Sequence, residues 1–158
     1  MKNKKVLLGV LVIPLVLGMA ACKEEAEDST SIVGTWANAD AGITLKFNSD
    51  NSYEIQMGGA PLIKGTYITS GSSLTITPTG INGGNPFLSG AGLENKWYTE
   101  AELRQAAKAG GMTDAEIDEW MGEMQFVSST FSYSISGNTL SLTITVDGET
   151  DTLTFTKA

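Results

Sequence analysis

Ile32-Val33-Gly34-Thr35-Trp36 is the stretch of sequence that decides the fold of this chain. It is the first segment after an apolar leader whose residues favour a β-strand, and it places a large aromatic side chain two residues after a glycine. From Ile43 to Phe155, apolar and polar residues alternate along short segments that are separated by turns. Such alternation, with one apolar face per segment, is typical of half-buried antiparallel strands. The stretch therefore predicts the first strand of an all-β domain.

Seven further segments continue this pattern, and turns rich in Gly, Asn, Asp and Ser join most of them. Eight antiparallel strands are enough to close a small barrel, which removes exposed sheet edges. The apolar faces of the second to the eighth segments predict the inward side chains, with Gly65 among them: Ile43, Leu45, Phe47; Tyr53, Ile55, Met57; Ile63, Gly65, Tyr67; Leu74, Ile76; Val127, Phe131, Tyr133, Ile135; Leu140, Leu142, Ile144, Val146; Leu153, Phe155.

Residues 80–125 interrupt the strands between the fifth and the sixth segment. The first part, 80–95, is rich in Gly and Asn and predicts a loop. The second part contains two capping boxes, Thr99-Glu100-Ala101-Glu102 and Thr113-Asp114-Ala115-Glu116, each of which predicts the start of a helix. Gly110-Gly111 predicts the end of the first helix. In the second helix the apolar residues recur at helical spacing: Ile117, Trp120, Met121 and Met124. The segment is therefore predicted to be an inserted helical hairpin.

Gly34-Thr35-Trp36 on a first strand resembles the opening motif of the lipocalins and the wider calycin-type barrels. The resemblance implies an eight-stranded antiparallel up-and-down barrel over residues 32–158, with a two-helix insertion between strands 5 and 6. It also implies that Trp36 packs across the closed end of the barrel, next to Gly34. Lys157 resembles the basic residue that this family places over that tryptophan, although the usual residue is Arg.

Residues 1–21 form a basic start followed by an apolar run, which predicts a signal peptide. Its end, Leu17-Gly18-Met19-Ala20-Ala21-Cys22, resembles the bacterial lipobox, in which the cysteine is lipidated and becomes the new N-terminus. Residues 22–31 are charged or small and predict a flexible tether. The resemblance implies a lipoprotein of the bacterial cell envelope that faces the periplasm or the exterior. By resemblance to the sorting of enterobacterial lipoproteins, Lys23 after the cysteine favours the outer membrane if the organism has one.

Composition excludes several functions. The chain has no His and one Cys, so it cannot build a His-based metal site, a common hydrolytic triad or an internal disulfide. Beyond Cys22 there are seven basic and 18 acidic residues, a net charge near −11, which argues against nucleic acid as a partner. The acid-rich turn Asp147-Gly148-Glu149-Thr150-Asp151 lacks the spacing of a calcium loop and predicts a hairpin turn. We therefore expect no enzymatic activity, no cofactor and no metal.

Two classes of function remain. In the first, the barrel of a membrane-anchored protein binds a small hydrophobic ligand, with the inserted helices as a lid over the open end. In the second, side chains fill the barrel, the helices are a permanent plug, and the outer surface binds an envelope or host protein. An eight-stranded barrel is wide enough for either. The candidate ligand-binding residues lie near the mouth or carry a polar tip: Ile43, Met57, Ile63, Ile76, Val127, Ile144, Val146, Tyr53, Tyr67, Tyr133, Trp97, Trp120, Met121 and Met124.

Overall fold

The structure is a computed structural model, and it describes residues 31–88, 91–124, 126–146 and 149–158. The predicted signal peptide, the lipidation site Cys22 and the tether up to residue 30 lie outside the described residues. The predicted turn at 147–148 and the side chains of Met124 and Val146 also lie outside them. None of the described helices is long and apolar enough to cross a membrane.

Nine strands and two α-helices make up the described chain, together with a single 3₁₀ turn at Pro86–Leu88. In chain order they are β1 (Gly34–Asn38), β2 (Ile43–Phe47), β3 (Ser52–Met57), β4 (Ala60–Ser70), β5 (Ser73–Asn82), β6 (Trp97–Tyr98), α1 (Glu100–Ala109), α2 (Asp114–Met124), β7 (Ser129–Ser136), β8 (Thr139–Val146) and β9 (Glu149–Lys157).

Eight of the strands close into an antiparallel barrel in the order β4-β3-β2-β1-β9-β8-β7-β5, and the β4–β5 pairing completes the ring. The short β6 pairs with Ile81 and Asn82 at the end of β5 and stands outside this ring. The predicted eight-stranded barrel, with two helices between its fifth and sixth strands, is confirmed. We call the end with the turns after β2, β4 and β7 the lower end. The opposite end, where the insertion leaves β5, is the mouth.

Two boundaries differ from the prediction. The turn between β3 and β4 is the pair Gly58-Gly59, both at positive φ, so Ala60 and Pro61 belong to β4. β5 extends to Asn82 and takes residues 80–82 from the predicted loop, because Ile81 pairs with Ile63 on one side and with Tyr98 on the other. These pairings are made by residues distant in sequence, which local alternation does not reveal.

Buried apolar side chains form two clusters. The barrel cluster occupies the lower part of the barrel interior and consists of Ile32, Trp36, Leu45, Phe47, Tyr53, Tyr67, Leu74, Leu140, Leu142 and Phe155. The insertion cluster lies among the helices, β6 and the upper end of β5 and consists of Ile81, Leu88, Tyr98, Leu103, Ala107, Ile117 and Met121. Ile63 packs against both clusters, so the insertion is attached to the barrel at its mouth.

Both helices begin where the sequence predicts, and α1 ends just before Gly110-Gly111 as predicted. Thr99 accepts a hydrogen bond from the Glu102 N–H and donates its own N–H to that carboxylate, which is a complete capping box. Thr113 and Glu116 form the same pair of bonds at the start of α2. These bonds satisfy N–H groups that have no partner inside the helix, so each helix starts at a defined residue.

All described strand pairings lie between Gly34 and Lys157, and both clusters lie within residues 32–126 and 140–155. The closed barrel is therefore complete without residues 1–22. We expect the chain from Lys23 to Ala158 to fold by itself.

Candidate functional site in the barrel interior

Trp36 forms the floor of the barrel interior. Its side chain is 0% exposed, and its indole N–H donates a hydrogen bond to the Ile32 carbonyl over 2.7 Å. Gly34 has a φ of +141°, a backbone conformation that favours glycine, and a Cβ there would lie in ordinary contact with the basic side chain beside it, 3.4 Å from Lys157 Cε. The bond from the indole to Ile32, two residues before β1, fixes the ring across the lower end.

Lys157 lies opposite Trp36 in the register of β1 and β9. Its ammonium nitrogen is 5.6 Å from the centre of the indole ring, within the range of a cation–π contact. The two strands pair at Trp36–Lys157 and Ala37–Thr156, and Asn38 Nδ2 adds a bond of 3.0 Å to the Thr154 carbonyl. The contact therefore lies at the seam where the first and last barrel strands meet.

Three aromatic side chains pack together in the barrel cluster. The rings of Phe47 and Tyr67 meet edge to face with centroids 5.0 Å apart, and Tyr53 lies on the other side of Phe47 at 6.4 Å. The Tyr67 hydroxyl donates to the Asn48 carbonyl over 2.8 Å, at the β2–β3 turn. Burial, followed by the nearby Asp50 and Tyr133, raises the pKa of Tyr67. Its hydroxyl is thus committed to the lower end and is a poor candidate for a ligand contact.

Tyr53 differs from Tyr67 because its hydroxyl has no hydrogen-bond partner among the described residues. The side chain is 3% exposed and belongs to the barrel cluster. Burial raises the pKa of Tyr53, so the hydroxyl keeps its proton and remains a donor. An unpaired buried hydroxyl of this kind costs about 1–3 kcal/mol. It is the one buried side-chain polar atom of the described chain that is left without a partner.

Gly65 provides the space for the Tyr53 ring. A Cβ at Gly65 would lie 2.8 Å from Tyr53 Cε1 and 2.9 Å from Pro78 Cα, and it would also collide with the Thr77 carbonyl. Tyr53 and Gly65 are opposite each other in the register of β3 and β4. The ring therefore crosses directly over the glycine backbone, which a larger residue would prevent.

The upper inner wall carries most of the residues predicted to meet a ligand. Ile43, Met57, Ile63, Ile76 and Ile144 are all half-buried, in contrast to the fully buried barrel cluster below them. Tyr133 is also half-buried and packs against that cluster. Val127 is 64% exposed and precedes β7, so its predicted inward position is wrong. The pairing of β7 with β5 begins only at Ser129. Val127 therefore lies outside the strand, and strand pairing does not fix the direction of its side chain.

The insertion packs both on itself and on the barrel mouth. Ile117 and Met121 are buried in the insertion cluster with residues of α1 and β6, and Trp120 is partly buried against the same cluster. The cluster includes Ile81 of β5, which is opposite Ile63 of β4. The apolar faces of the helices therefore contact the barrel at its mouth.

Trp97 was also predicted to face a ligand, and the structure places it elsewhere. Its ring lies 4.9 Å from the ammonium nitrogen of Lys64, which occupies an outward position of β4 between Ile63 and Gly65. The neighbouring Tyr98 is the buried member of β6 and accepts a hydrogen bond from the Glu94 N–H. Alternation along β6 could have assigned these two faces, but a strand of two residues is too short to be recognised in sequence.

Gly83 lies in the segment that was predicted as a loop, and its surroundings show that it has a packing role. A Cβ at Gly83 would collide with the Glu94 carbonyl and lie 2.6 Å from Tyr98 Cε2. The flanking Asn82 and Asn85 are buried, and their side chains accept hydrogen bonds from the N–H groups of Gly84 and Phe87. This glycine therefore permits close packing of the loop.

Glu149 and Asp151 were predicted to lie in a hairpin turn, but the structure places both residues in β9. Asp151 is opposite Ile144, and Glu149 is opposite Val146, in the same register that places Phe155 opposite Leu140. Since residues two apart on a strand share a face, both carboxylates lie on the inward face of β9, above Leu153. Both are exposed, at the mouth. The alternation of Phe155 and Leu153, continued towards the turn, would have predicted the inward positions of both carboxylates.

No protein-family model matches the chain, and no curated protein matches it. Among solved structures, the chain is similar to an uncharacterized protein from Bacteroides eggerthii DSM 20697, with 17% sequence identity and a TM-score of 0.42. The alignment covers 81% of this chain and 100% of that chain.

Proposed function

We propose that this protein is a lipid-anchored binding protein without catalytic activity, whose lipocalin-like barrel holds a small hydrophobic ligand. The unpaired hydroxyl of Tyr53 carries this proposal. It is a donor on the inner wall of the barrel, below apolar residues that are only half-buried. Ligand sites commonly combine an apolar lining with a few polar groups that orient the ligand.

The distribution of burial supports the same conclusion. The barrel cluster fills the lower end, so a ligand would enter from the mouth and rest on that cluster. Ile43, Ile63 and Ile76 already pack against the cluster but keep part of their surface exposed. An apolar ligand that covered this surface would gain about 25 cal/mol for each Å² removed from water.

Tyr53→Phe tests the ligand site in the chain from Lys23 to Ala158. Without ligand, we expect the free energy of unfolding to stay unchanged or rise by up to about 1 kcal/mol, because the variant loses an unpaired buried hydroxyl. The oxygen of dodecan-1-ol can accept a hydrogen bond from the Tyr53 hydroxyl. We therefore expect the variant to bind dodecan-1-ol about tenfold more weakly than the wild type does, because one hydrogen bond is lost. Binding is measured by displacement of N-phenyl-1-naphthylamine, an uncharged fluorescent probe.

Tyr67→Phe is the matched control. Its hydroxyl is bonded to the Asn48 carbonyl, so we expect lower stability, by about 1 kcal/mol, and unchanged ligand affinity. Failure of both the probe and dodecan-1-ol to bind saturably to the wild type would overturn the binding function. Equal dodecan-1-ol affinity in the wild type and Tyr53→Phe would remove Tyr53 from the site.

Lipid anchoring through Cys22 is the second part of the proposal. It rests on the lipobox-like junction, and an acylated N-terminus would hold the protein at the bacterial cell envelope, because several acyl chains together anchor stably. We expect Cys22→Ala to move the protein from the detergent phase to the aqueous phase after detergent partitioning of cells. A mature variant, with the leader removed, that still enters the detergent phase would refute anchoring through this thiol.

Binding of an envelope or host protein is the alternative function, and one observation favours it. Phe87 is 63% exposed although its backbone is fixed, since its N–H is bonded to Asn85 Oδ1 over 2.9 Å and the next residue, Leu88, is buried.

Native mass spectrometry of Lys23–Ala158 separates the two functions. A co-purifying mass of lipid size supports the ligand, whereas a bare barrel with no response to apolar probes supports the alternative.

A further inference from the structure

We propose that the ligand of the barrel is a neutral carbonyl compound with one alkyl chain, whose carbonyl lies at the buried end beside Tyr53 and whose chain points to the mouth. This inference rests on the proposed ligand-binding function and adds the head group and the direction of the ligand to it. It starts from the Tyr53 hydroxyl, which has no hydrogen-bond partner among the described residues and belongs to a side chain that is 3% exposed.

The hydrogen-bonding capacity of the interior favours a carbonyl over a hydroxyl on the ligand. Because burial raises the pKa of Tyr53, its hydroxyl keeps its proton and can donate it. In the described part of the chain, every other buried side-chain nitrogen or oxygen already has a partner. A ligand hydroxyl and the Tyr53 hydroxyl would carry two protons but share one bond, so one proton would stay unpaired at a cost. A carbonyl accepts the Tyr53 proton and brings no proton of its own.

The charges near Tyr53 disfavour a fatty acid or an amine. Burial alone raises the pKa of Tyr53, whereas burial and the nearby Asp50 both raise that of Tyr67. Lys157 contacts Trp36 and belongs to β9, and β1 and β2 separate that strand from β3. A carboxylate or an ammonium group beside the Tyr53 hydroxyl would therefore be buried without a partner of opposite charge. Such burial is far more costly than the burial of a hydrogen-bonded carbonyl.

The order of side chains along β3 gives the direction of the ligand. Tyr53, Ile55 and Met57 share the inward face, and Tyr53 is the second residue of β3, next to the turn at the lower end. The half-buried Ile55 and Met57 thus lie between the hydroxyl and the mouth. Gly65, which is opposite Tyr53, adds no side chain at this level. A ligand that reaches the hydroxyl from the mouth must carry its acceptor at the leading end and its alkyl chain behind.

The height of this wall sets the length of the alkyl chain. From Tyr53 to Met57, β3 rises about 14 Å, about the length of an extended chain of eleven carbons, since an antiparallel strand advances about 3.4 Å per residue. A ligand of this length covers the apolar wall from the hydroxyl to the mouth.

Three uncharged ligands of that length test the inference: undecan-2-one, undecan-2-ol and undecan-6-one. Isothermal titration calorimetry of Lys23–Ala158 at pH 7 measures their affinities. We expect undecan-2-one to bind about five- to tenfold more tightly than undecan-2-ol, because the alcohol leaves one buried proton unpaired. Undecan-6-one has the same composition, but its carbonyl lies in the middle of the chain and cannot lead. We expect it to bind about tenfold more weakly than undecan-2-one, the loss of one hydrogen bond.

Tyr53→Phe removes the donor and should act on one ketone only. We expect the affinity for undecan-2-one to fall about tenfold, to that of undecan-6-one, whose own affinity stays within twofold of the wild type. Tyr67→Phe is the matched control, because its hydroxyl is bonded to the Asn48 carbonyl. We expect it to leave the affinity for undecan-2-one within twofold of the wild type.

The outcomes separate the inference from the function on which it rests. Equal affinities of the wild type for undecan-2-one and undecan-2-ol, or for the two ketones, would overturn the inference and keep the ligand-binding barrel. Undiminished binding of undecan-2-one by Tyr53→Phe would also overturn it and would assign the hydroxyl to a buried water. If all three ligands and N-phenyl-1-naphthylamine fail to bind saturably, both the inference and the binding function are overturned.

Discussion

Trp36→Ala is expected to lower the free energy of unfolding by about 3–5 kcal/mol, the range for removing a large buried aromatic side chain. Trp36 is 0% exposed and lies in the barrel cluster, so its removal leaves a cavity at the lower end. The variant also leaves the Ile32 carbonyl without its indole donor and Lys157 without the ring beneath it. Urea unfolding followed by circular dichroism at a β-sheet wavelength measures the effect.

Trp97→Ala is the matched control for this prediction, because Trp97 is half-buried on the outer side, beside Lys64. We expect it to cost no more than about 1.5 kcal/mol, as for a partly exposed aromatic with one cation–π contact. A loss below about 1 kcal/mol in Trp36→Ala would mean that the lower end does not depend on this ring. The lipocalin-like interpretation of the first strand would then fail with it.

Gly65→Ala is expected to be destabilising by about 3 kcal/mol, at the upper end of the range for overpacked cores. The added methyl group would meet the Thr77 carbonyl, Pro78 Cα and the Tyr53 ring. Two of these are backbone atoms of the neighbouring strand, which cannot move without breaking the pairing of β4 with β5. Chemical unfolding of the variant and the wild type under identical conditions gives the difference.

Gly122→Ala, in contrast, should raise the free energy of unfolding. Gly122 lies in α2, is exposed, and has nothing within 4 Å of an added Cβ. We expect a gain of about 0.5–1 kcal/mol, because alanine favours the helix and restricts the unfolded chain. If the two variants change stability alike, or if Gly65→Ala is neutral, the close crossing of Tyr53 over Gly65 is not as described.

The sequence by itself determined the barrel and the helical hairpin. Strict alternation from Ile43 to Phe155 is a local property, because each strand must present one face to the interior whichever strand it pairs with. The capping boxes at Thr99 and Thr113 are also local, since each is completed within four residues. For this reason the number of barrel strands, the insertion point and both helix starts could be predicted.

Only the tertiary structure decided which side chains have partners and which way the insertion turns. Alternation placed Tyr53 and Tyr67 alike on the inner wall, but a hydrogen bond to Asn48 exists for one and not for the other. The apolar face of α2 does not by itself show what it packs against, and the pairing of Ile81 with Tyr98 places β6 and the helices at the upper end of β5, where α2 shares one buried cluster with α1 and Ile81. These outcomes depend on contacts between residues distant in sequence, whose geometry exists only once the barrel has closed.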